Sequence, residues 1–503
     1  MKIILNKKDD SSEKFSSFIF RKLQLIDWLI IVGICTFVYV VLRAVYPYPA
    51  TMQDSGGYVF SAMNDFFYFY RPFGYSQFLR IVHSFSSSIH AVFTVQMILY
   101  GLSIGFFSLT IKYFFRPQNQ IIWYILLIIL VFSPMSFFMA DAIMSDMLFA
   151  IMIFGLLTAF AFVVMKKSWW AFAWFVLLMF FSLHIRYSAI IFPFLFIPVL
   201  LFVKSPIRWA ALVVLPLTFA VFHNQVKADM KETTGFNQFS TGFDGWQLAN
   251  NALHIVPFTD LPPNKIRKAK IRNLHEFVLN YNQQILEATD HGKRVTAAFL
   301  WEKDLPLKQY LGKLMYEQQR NYPDLWIMLG SGAYKDYGKY LIMHDPLEFM
   351  RRYYFPNSTQ IFYPSSLGMM SGYGNLSGND IFEWYNIPQD ADLKSSNDIY
   401  GKYISPAIPV IYLIGWIFIF AVAVFAFVKR KSIVFTFDEK ILFWGLFAFG
   451  VLFYASTVFA TPIEIRYWLP MSVIRFSFFY ILINKLCVCF KSMIIRKIFW
   501  IGC

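Results

Sequence analysis

Cysteine is scarce in this 503-residue chain: four residues, at 35, 487, 489 and 503, with none in between 35 and 487. A disulfide framework or a thiolate metal site is thereby excluded from the long middle of the sequence. Cys487 and Cys489 form a C-x-C pair with no further ligands nearby, which supports no metal centre. Charge is scarce as well, at 15% of residues against 57% hydrophobic and 20% aromatic, and ordinary soluble domains carry clearly more. There is no Gly-rich nucleotide loop, no Gly-x-Ser-x-Gly elbow and no pair of His at metal-ligand spacing, so neither a nucleotide nor a haem is expected. Nor is there an internal repeat or a low-complexity run, which excludes a solenoid and a disordered linker.

What is present is apolar length. With a mean hydropathy of +0.50, the chain carries candidate membrane spans at 26–45, 90–111, 120–138, 146–165, 169–184, 187–203, 208–223, 404–428, 441–459 and 467–484. About ten helices follow, each near the length that crosses a hydrocarbon core of roughly 30 Å. A basic arm over 1–24 leads into the first span with no small-residue cleavage site, so a retained helix is expected and not a removed signal peptide.

The net charge of +15 would suggest nucleic acid in a soluble protein. Here the cations flank apolar runs, so the partner expected is the lipid bilayer and not nucleic acid. The arm, Lys112/Arg116, Lys166/Lys167, Lys204/Arg208, Lys429/Arg430/Lys431 and Lys485/Lys491/Arg496/Lys497 fall on alternate connections, which assigns them to the cytoplasm. The expected layout is a multi-pass protein of a bacterial cytoplasmic membrane: a module at 25–223 with an outer loop at 46–89, an extracytoplasmic domain at 224–403, further spans at 404–484 and a basic tail at 485–503.

The extracytoplasmic domain should be mainly helical. Helical periodicity covers 265–284, 305–320 and 346–354, and Asp260-Leu-Pro-Pro263 and Ser371-Gly-Tyr-Gly-Asn-Leu-Ser-Gly378 read as turns. Asn357-Ser-Thr and Asn375-Leu-Ser match the glycosylation triplet, a pattern frequent by chance.

Ionisable residues are costly in a span, so those beside one are functional candidates. They gather at one level: Asp54, Asp141, Asp146, His184, Arg186, Glu464 and Arg466 all stand at outer ends of spans. Each also has a plainer reading. Asp54 could be a solvated turn residue, Asp141 plain loop, and Asp146 a helix N-terminal acid favoured by the dipole. Arg186 and Arg466, each followed by Tyr, could snorkel to the interface, and His184 could be an ordinary helix-end residue. Against these stands an aromatic loop too apolar for free solvent around Asp54, and arginines on the side where the positive-inside bias disfavours them.

Several short motifs then share one order. Met52-Gln-Asp-Ser-Gly-Gly-Tyr58, Arg71-Pro-Phe-Gly-Tyr75, Ser133-Pro134 with Ser145-Asp146, His184-Ile-Arg-Tyr187 and Glu464-Ile-Arg-Tyr-Trp-Leu-Pro470 resemble the GT-C superfamily of membrane glycosyltransferases, at the distance of protein mannosyltransferases and aminoarabinose transferases. The likeness covers 26–224 and 440–484 and leaves the central domain unmatched. It implies an all-α polytopic enzyme that moves a sugar from a polyprenyl-phosphate donor to an extracytoplasmic glycan, lipid or protein, with inversion. Asp54 would be the base or the group orienting the acceptor, and Asp146 would support the acceptor or a metal. Arg186 and Arg466 would hold the donor phosphate, and Arg71, Tyr75, Asp141, His184 and Tyr467 would line the site. Where many members place a second acid, Ser55 follows Asp54, which leaves a divalent cation such as Mg or Mn open.

Two other readings compete. An O-antigen-type polymerase or ligase would use a lipid-diphosphate glycan. A transporter or flippase would show charges at helix centres and helices broken at mid-membrane depth.

Overall fold

The computed structural model describes residues 14–52, 54–281, 304–364, 379–388 and 403–500, without the side chains of 379, 405 and 491–500. The turn at 371–378, the Asn375 triplet and most of the N-terminal arm lie outside these residues, as do the side chains of Lys491, Arg496 and Lys497.

Seven described helices are long and apolar enough to cross a membrane: Lys22–Val45, Ile89–Phe114, Ser145–Lys166, Ile207–Thr234, Pro406–Val428, Phe437–Ala460 and Ile465–Phe490. They differ sharply in what surrounds them. The Ser145–Lys166 helix is the axis of the bundle, 78% buried over its apolar window, while Pro406–Val428 is 6% buried and turns Phe418 and Phe420 outward. A helix apolar on every side and so little covered by protein is compatible with a lipid solvent and not with water. The chain is an α-helical multi-pass membrane protein.

The expected ten spans resolve into these seven and three less regular segments. The run at 120–138 is broken into Gln120–Val131 and Pro134–Ala140, bent by 40°. Proline disfavours helical geometry at the residue before it, and Ser133 is extended accordingly, with φ −92° and ψ 109°. The break strands the Val131 carbonyl, and the buried Tyr100 hydroxyl donates to it at 3.2 Å. The run at 169–184 forms the 17-residue helix Trp169–Ile185. The run at 187–203 becomes a 3-10 turn, Tyr187–Ile191, followed by a helix of only nine residues, Phe192–Leu200. Two helices overrun their expected ends: Ile207–Thr234 continues through Pro216 to 28 residues, about 42 Å at the usual rise, and the last continues past 484 to Trp500.

Between 224 and 403 the described residues are mainly helical, in Phe243–Leu253, Ala269–Asn280, Pro306–Gln318, Tyr322–Leu329 and Lys335–His344, and no strand is present among them. The third expected helix is a short turn, Pro346–Phe349, running into a π-helical turn at Met350–Tyr354. Trp246 and Trp326 face each other at 4.8 Å in this core. Gly242 opens the first helix at φ +81°, where an added Cβ would stand 2.9 Å from the Trp326 carbonyl oxygen.

Two buried asparagines tie this region to the bundle. The Asn357 amide donates to the Val458 and Thr461 carbonyls at 2.8 and 2.9 Å, and its oxygen accepts from the Ile463 N–H at 2.7 Å. Asn251 donates to Phe459 and Ala460 carbonyls at 3.2 and 3.0 Å. Together they satisfy the carbonyls left open where Phe437–Ala460 ends. With its amide so engaged and fully buried, Asn357 is closed to glycosylation.

At the opposite end of the bundle several cations of the alternating clusters are paired with acids, and one of them is buried. Lys112 is buried and bonds the fully buried Asp27 at 2.5 Å, and Trp123 donates to the same carboxylate at 2.7 Å. Lys167 pairs with Asp438, and Lys485 with Glu439 at 2.7 Å.

Candidate functional site

The site grows from an irregular stretch, 141–144, that links the broken span to the central helix. Non-helical backbone inside a packed bundle must find partners for its own N–H and C=O groups. Ala50 supplies a parallel bridge, its N–H donating to the Asp141 carbonyl at 2.9 Å and its carbonyl accepting from Ile143 at 3.1 Å. The Ser55 hydroxyl donates to the Ile143 carbonyl at 2.9 Å. From the helix Ile89–Phe114, the fully buried Gln96 donates to the Ala140 and Ala142 carbonyls at 2.7 and 3.1 Å and accepts from Tyr75 at 3.1 Å. Tyr58 and Ser145 share a hydrogen bond of 2.8 Å. The loop carrying Asp54 is thus laced onto the start of the helix carrying Asp146.

Three acids and three arginines meet there, each acid with its own cation. Arg71 donates to Asp54 twice, to the backbone carbonyl at 2.9 Å and to Oδ1 at 2.5 Å, and lies over the Tyr58 ring at 4.7 Å. Arg186 reaches Asp146 Oδ1 at 2.5 Å, leaving the buried Oδ2 without a hydrogen-bond partner. Arg466 meets Glu464 at 2.5 Å, and the guanidinium groups of Arg186 and Arg466 both face the Tyr467 ring, at 5.5 and 5.4 Å. Asp146 is almost wholly covered, whereas the Asp54 and Glu464 side chains keep about a third of their surface, 35% and 33%. These two carboxylates are what an incoming molecule would meet.

Burial alone would raise the Asp54 carboxyl, but Arg71 first, then Arg466 and Arg186, outweigh it and hold the group below the usual carboxylate range. Asp54 is therefore ionised at neutral pH. Burial keeps the Tyr75 phenol neutral, its ionisation pushed well above the ordinary value.

Of the residues expected at the site, Asp54, Arg71, Asp146, Arg186, Arg466 and Tyr467 come together. Three do not. Asp141 is fully buried and paired with Arg43 from the end of the first span, which in turn touches His90 at 3.2 Å. His184 turns toward the Phe180 carbonyl at 2.9 Å and Gln225 at 3.1 Å, lining a separate cavity of about 200 Å³ with Phe67, Pro72 and Asp229. The start of the Gly74–Phe85 helix presses on the His184 backbone so closely that a Cβ at Gly74 would stand 2.5 Å from its carbonyl oxygen. Tyr75 is fully buried beneath Tyr58, with ring centroids 4.8 Å apart, and supports the site without lining it.

Glu464 and Gln96 complete the arrangement. Glu464 was visible as a charge at a span end; Gln96 was readable only as a lone amide inside an apolar run. Among the described residues no group of three His, Cys, Asp or Glu is arranged to hold a metal ion. The donor set fits a divalent cation poorly, since each acid of the cluster already faces an arginine.

Fold and cluster define a class: a multi-pass helical membrane protein with a charge-paired acid and arginine cluster at one end of its bundle. Comparison with protein-family models, with curated proteins and with solved structures finds no match.

Proposed function

We propose that this protein is a membrane glycosyltransferase that moves a sugar from a polyprenyl-phosphate donor to an acceptor hydroxyl on the extracytoplasmic side. The observation that carries this reading is the meeting of Asp54 with Arg71, Arg186 and Arg466, drawn from distant parts of the chain to one bundle end. An ionised carboxylate about a third exposed, beside partly buried guanidinium groups, is a combination that suits attack by a hydroxyl and departure of a phosphate. The alternating basic clusters support an outward orientation for that end.

In this mechanism the acceptor hydroxyl hydrogen-bonds Asp54 and its oxygen attacks the anomeric carbon from the face opposite the phosphate. The new glycosidic bond forms as the bond to the phosphate oxygen breaks, the electron pair leaves with the lipid phosphate, and the acceptor's proton passes to the Asp54 carboxylate. Held at a low pKa, Asp54 is a weak base, so alignment of the hydroxyl is its larger contribution and proton transfer comes late. Arg186 orients Asp146 behind it. The test is transfer by purified protein in liposomes supplied with polyprenyl-phosphate sugars and membrane-derived acceptors. Asp54→Asn should lower the rate by about 100-fold or more; transfer at the wild-type rate would overturn the assignment.

A transporter reading gains from the helix break at Ser133-Pro134, more than halfway along its span, and from Arg475 within the last span. Solute flux into the same liposomes without sugar transfer would favour it.

A further inference from the structure

We infer that Arg475, with Tyr412, Trp416 and Trp468, forms the binding site for the phosphate of an isoprenoid-phosphate lipid entering sideways from the bilayer. The inference rests on the transferase reading and assigns its donor phosphate to a different residue from those the motifs suggest.

Charge pairing motivates it. Arg186 and Arg466 are each matched by an acid, as are Arg43, Arg71 and Arg80, so each phosphate contact there would compete with a carboxylate already in place. Arg475 is different. It lies within the last membrane-spanning helix, is partly exposed, and has no acid or hydrogen-bond acceptor among the described residues. An arginine at such depth without an anionic partner is costly and marks a site by default.

Three aromatic rings surround its guanidinium. The guanidinium carbon stands 4.6 Å from the Tyr412 ring centroid, 5.4 Å from Trp468 and 5.8 Å from Trp416. Ring faces hold a guanidinium by its planes and leave its N–H edges free, and those edges match phosphate oxygens two at a time. The rings are themselves anchored: Trp416 donates to the Ile361 carbonyl at 2.6 Å, and Tyr454 packs on Trp468 at 5.2 Å.

Position links this arginine to the cluster. Helical side chains lean toward the N-terminus of their helix, and contact with the Trp468 ring links Arg475 to the helix end that carries Arg466 and Tyr467. The companion helix, Pro406–Val428, is 6% buried, so the seam between the two is bordered by lipid and not by protein. A lipid could slide its phosphate to Arg475 while its isoprenoid chain stays in the membrane and its sugar points at Asp54.

The experiment is binding of a polyprenyl monophosphate, measured by native mass spectrometry on full-length protein in zwitterionic nanodiscs, with phosphatidylglycerol as competitor. Arg475→Gln should weaken binding by about tenfold or more, and Arg475→Lys should fall between the two, since it keeps the charge and loses the fork. Arg80→Gln, which removes an arginine paired with the exposed Asp65, should bind as the wild type does. Unchanged binding in Arg475→Gln would overturn the site. Displacement by an equal concentration of phosphatidylglycerol would overturn its lipid selectivity, marking a bulk-lipid contact. Loss of binding in a glutamine variant whose thermal unfolding has also collapsed, with full binding in the lysine variant at wild-type stability and no preference for phosphate over a neutral polyprenol, would likewise overturn it. If no donor sugar is transferred while binding still depends on Arg475, the transferase reading falls and the lipid-phosphate site stands.

Discussion

Asp54 carries most of the proposed chemistry, and its ionisation is set by a neighbour that can be removed. Arg71 is the strongest of the cations opposing the effect of burial on the carboxyl. With a folded-state pKa below that of an ordinary aspartate, the charged form persists as pH falls until that lower pKa is passed. The acid limb of transfer by the wild type should therefore lie below about pH 4, the ordinary aspartate value. Arg71→Gln should move that limb upward, because burial then acts with less opposition. Identical limbs in pH-rate profiles of the two proteins would show that Arg71 does not set the charge. His254 offers a second pH test outside the spans. Burial pushes its pKa down to about 4, so the unfolded chain binds a proton first as pH falls below about 6.5 and stability is lost progressively until about pH 4. The loss is on the order of 3 kcal/mol, and His254→Gln should flatten thermal stability across this window. Both residues illustrate what one dimension can show. Asp54, Arg186 and Arg466 were legible because a charge beside an apolar run stands out. Asp141 was visible for the same reason, yet its pairing with Arg43 was not, because it depends on how the first span docks against 141–144.

At the scale of elements, apolar runs revealed where helices would be and much less about how far each would extend. Length and composition do not separate a full crossing from a bent or shortened one, so the runs at 120–138 and 187–203 read as ordinary spans. The residues that decide were present: Pro134 beside Ser133, and Pro193 and Pro198 within Phe192–Leu200. What could not be read was the repair, a hydroxyl from Tyr100 capping the stranded Val131 carbonyl. Tyr100→Phe removes that donor alone and should cost about 1–3 kcal/mol, read as a lower unfolding temperature in detergent. The Asn357 clamp is a stronger case, since its amide serves two carbonyls and one N–H. Asn357→Ala strands all three groups, and Asn357→Asp turns a buried carboxylate onto the two carbonyls, so both should destabilise, the aspartate at neutral pH at least as much as the alanine. An alanine variant as stable as the wild type would mean that the hydrogen bonds do not tie the 461–463 turn, and with it Glu464 and Arg466, to the helix end.

For the whole molecule, the question is which charges orient it and which hold it together. Read along the chain, Lys112 is one of several cations that mark the inner side. In three dimensions it is enclosed with Asp27 and Trp123 between helices at that end, where it cannot meet lipid headgroups in the folded protein. A buried pair of this kind is weak evidence for net stability, but breaking it is expensive because the survivor is left charged and unpaired. Asp27→Asn should therefore cost about 3–5 kcal/mol. Asp27→Leu with Lys112→Met should recover most of that loss, since apolar replacements remove both charges together. Orientation should be indifferent to the double change if the exposed clusters dominate, above all Lys429, Arg430 and Lys431 on the short connection between two spans. Unfolding in detergent reads the first effect, and reporter fusions to the 203–208 connection read the second. Inverted fusions with stability restored would show that Lys112 sets orientation during insertion, before Asp27 encloses it. Restored stability with unchanged orientation would assign the pair to packing, and leave the Asp54 end facing outward on the strength of the other clusters.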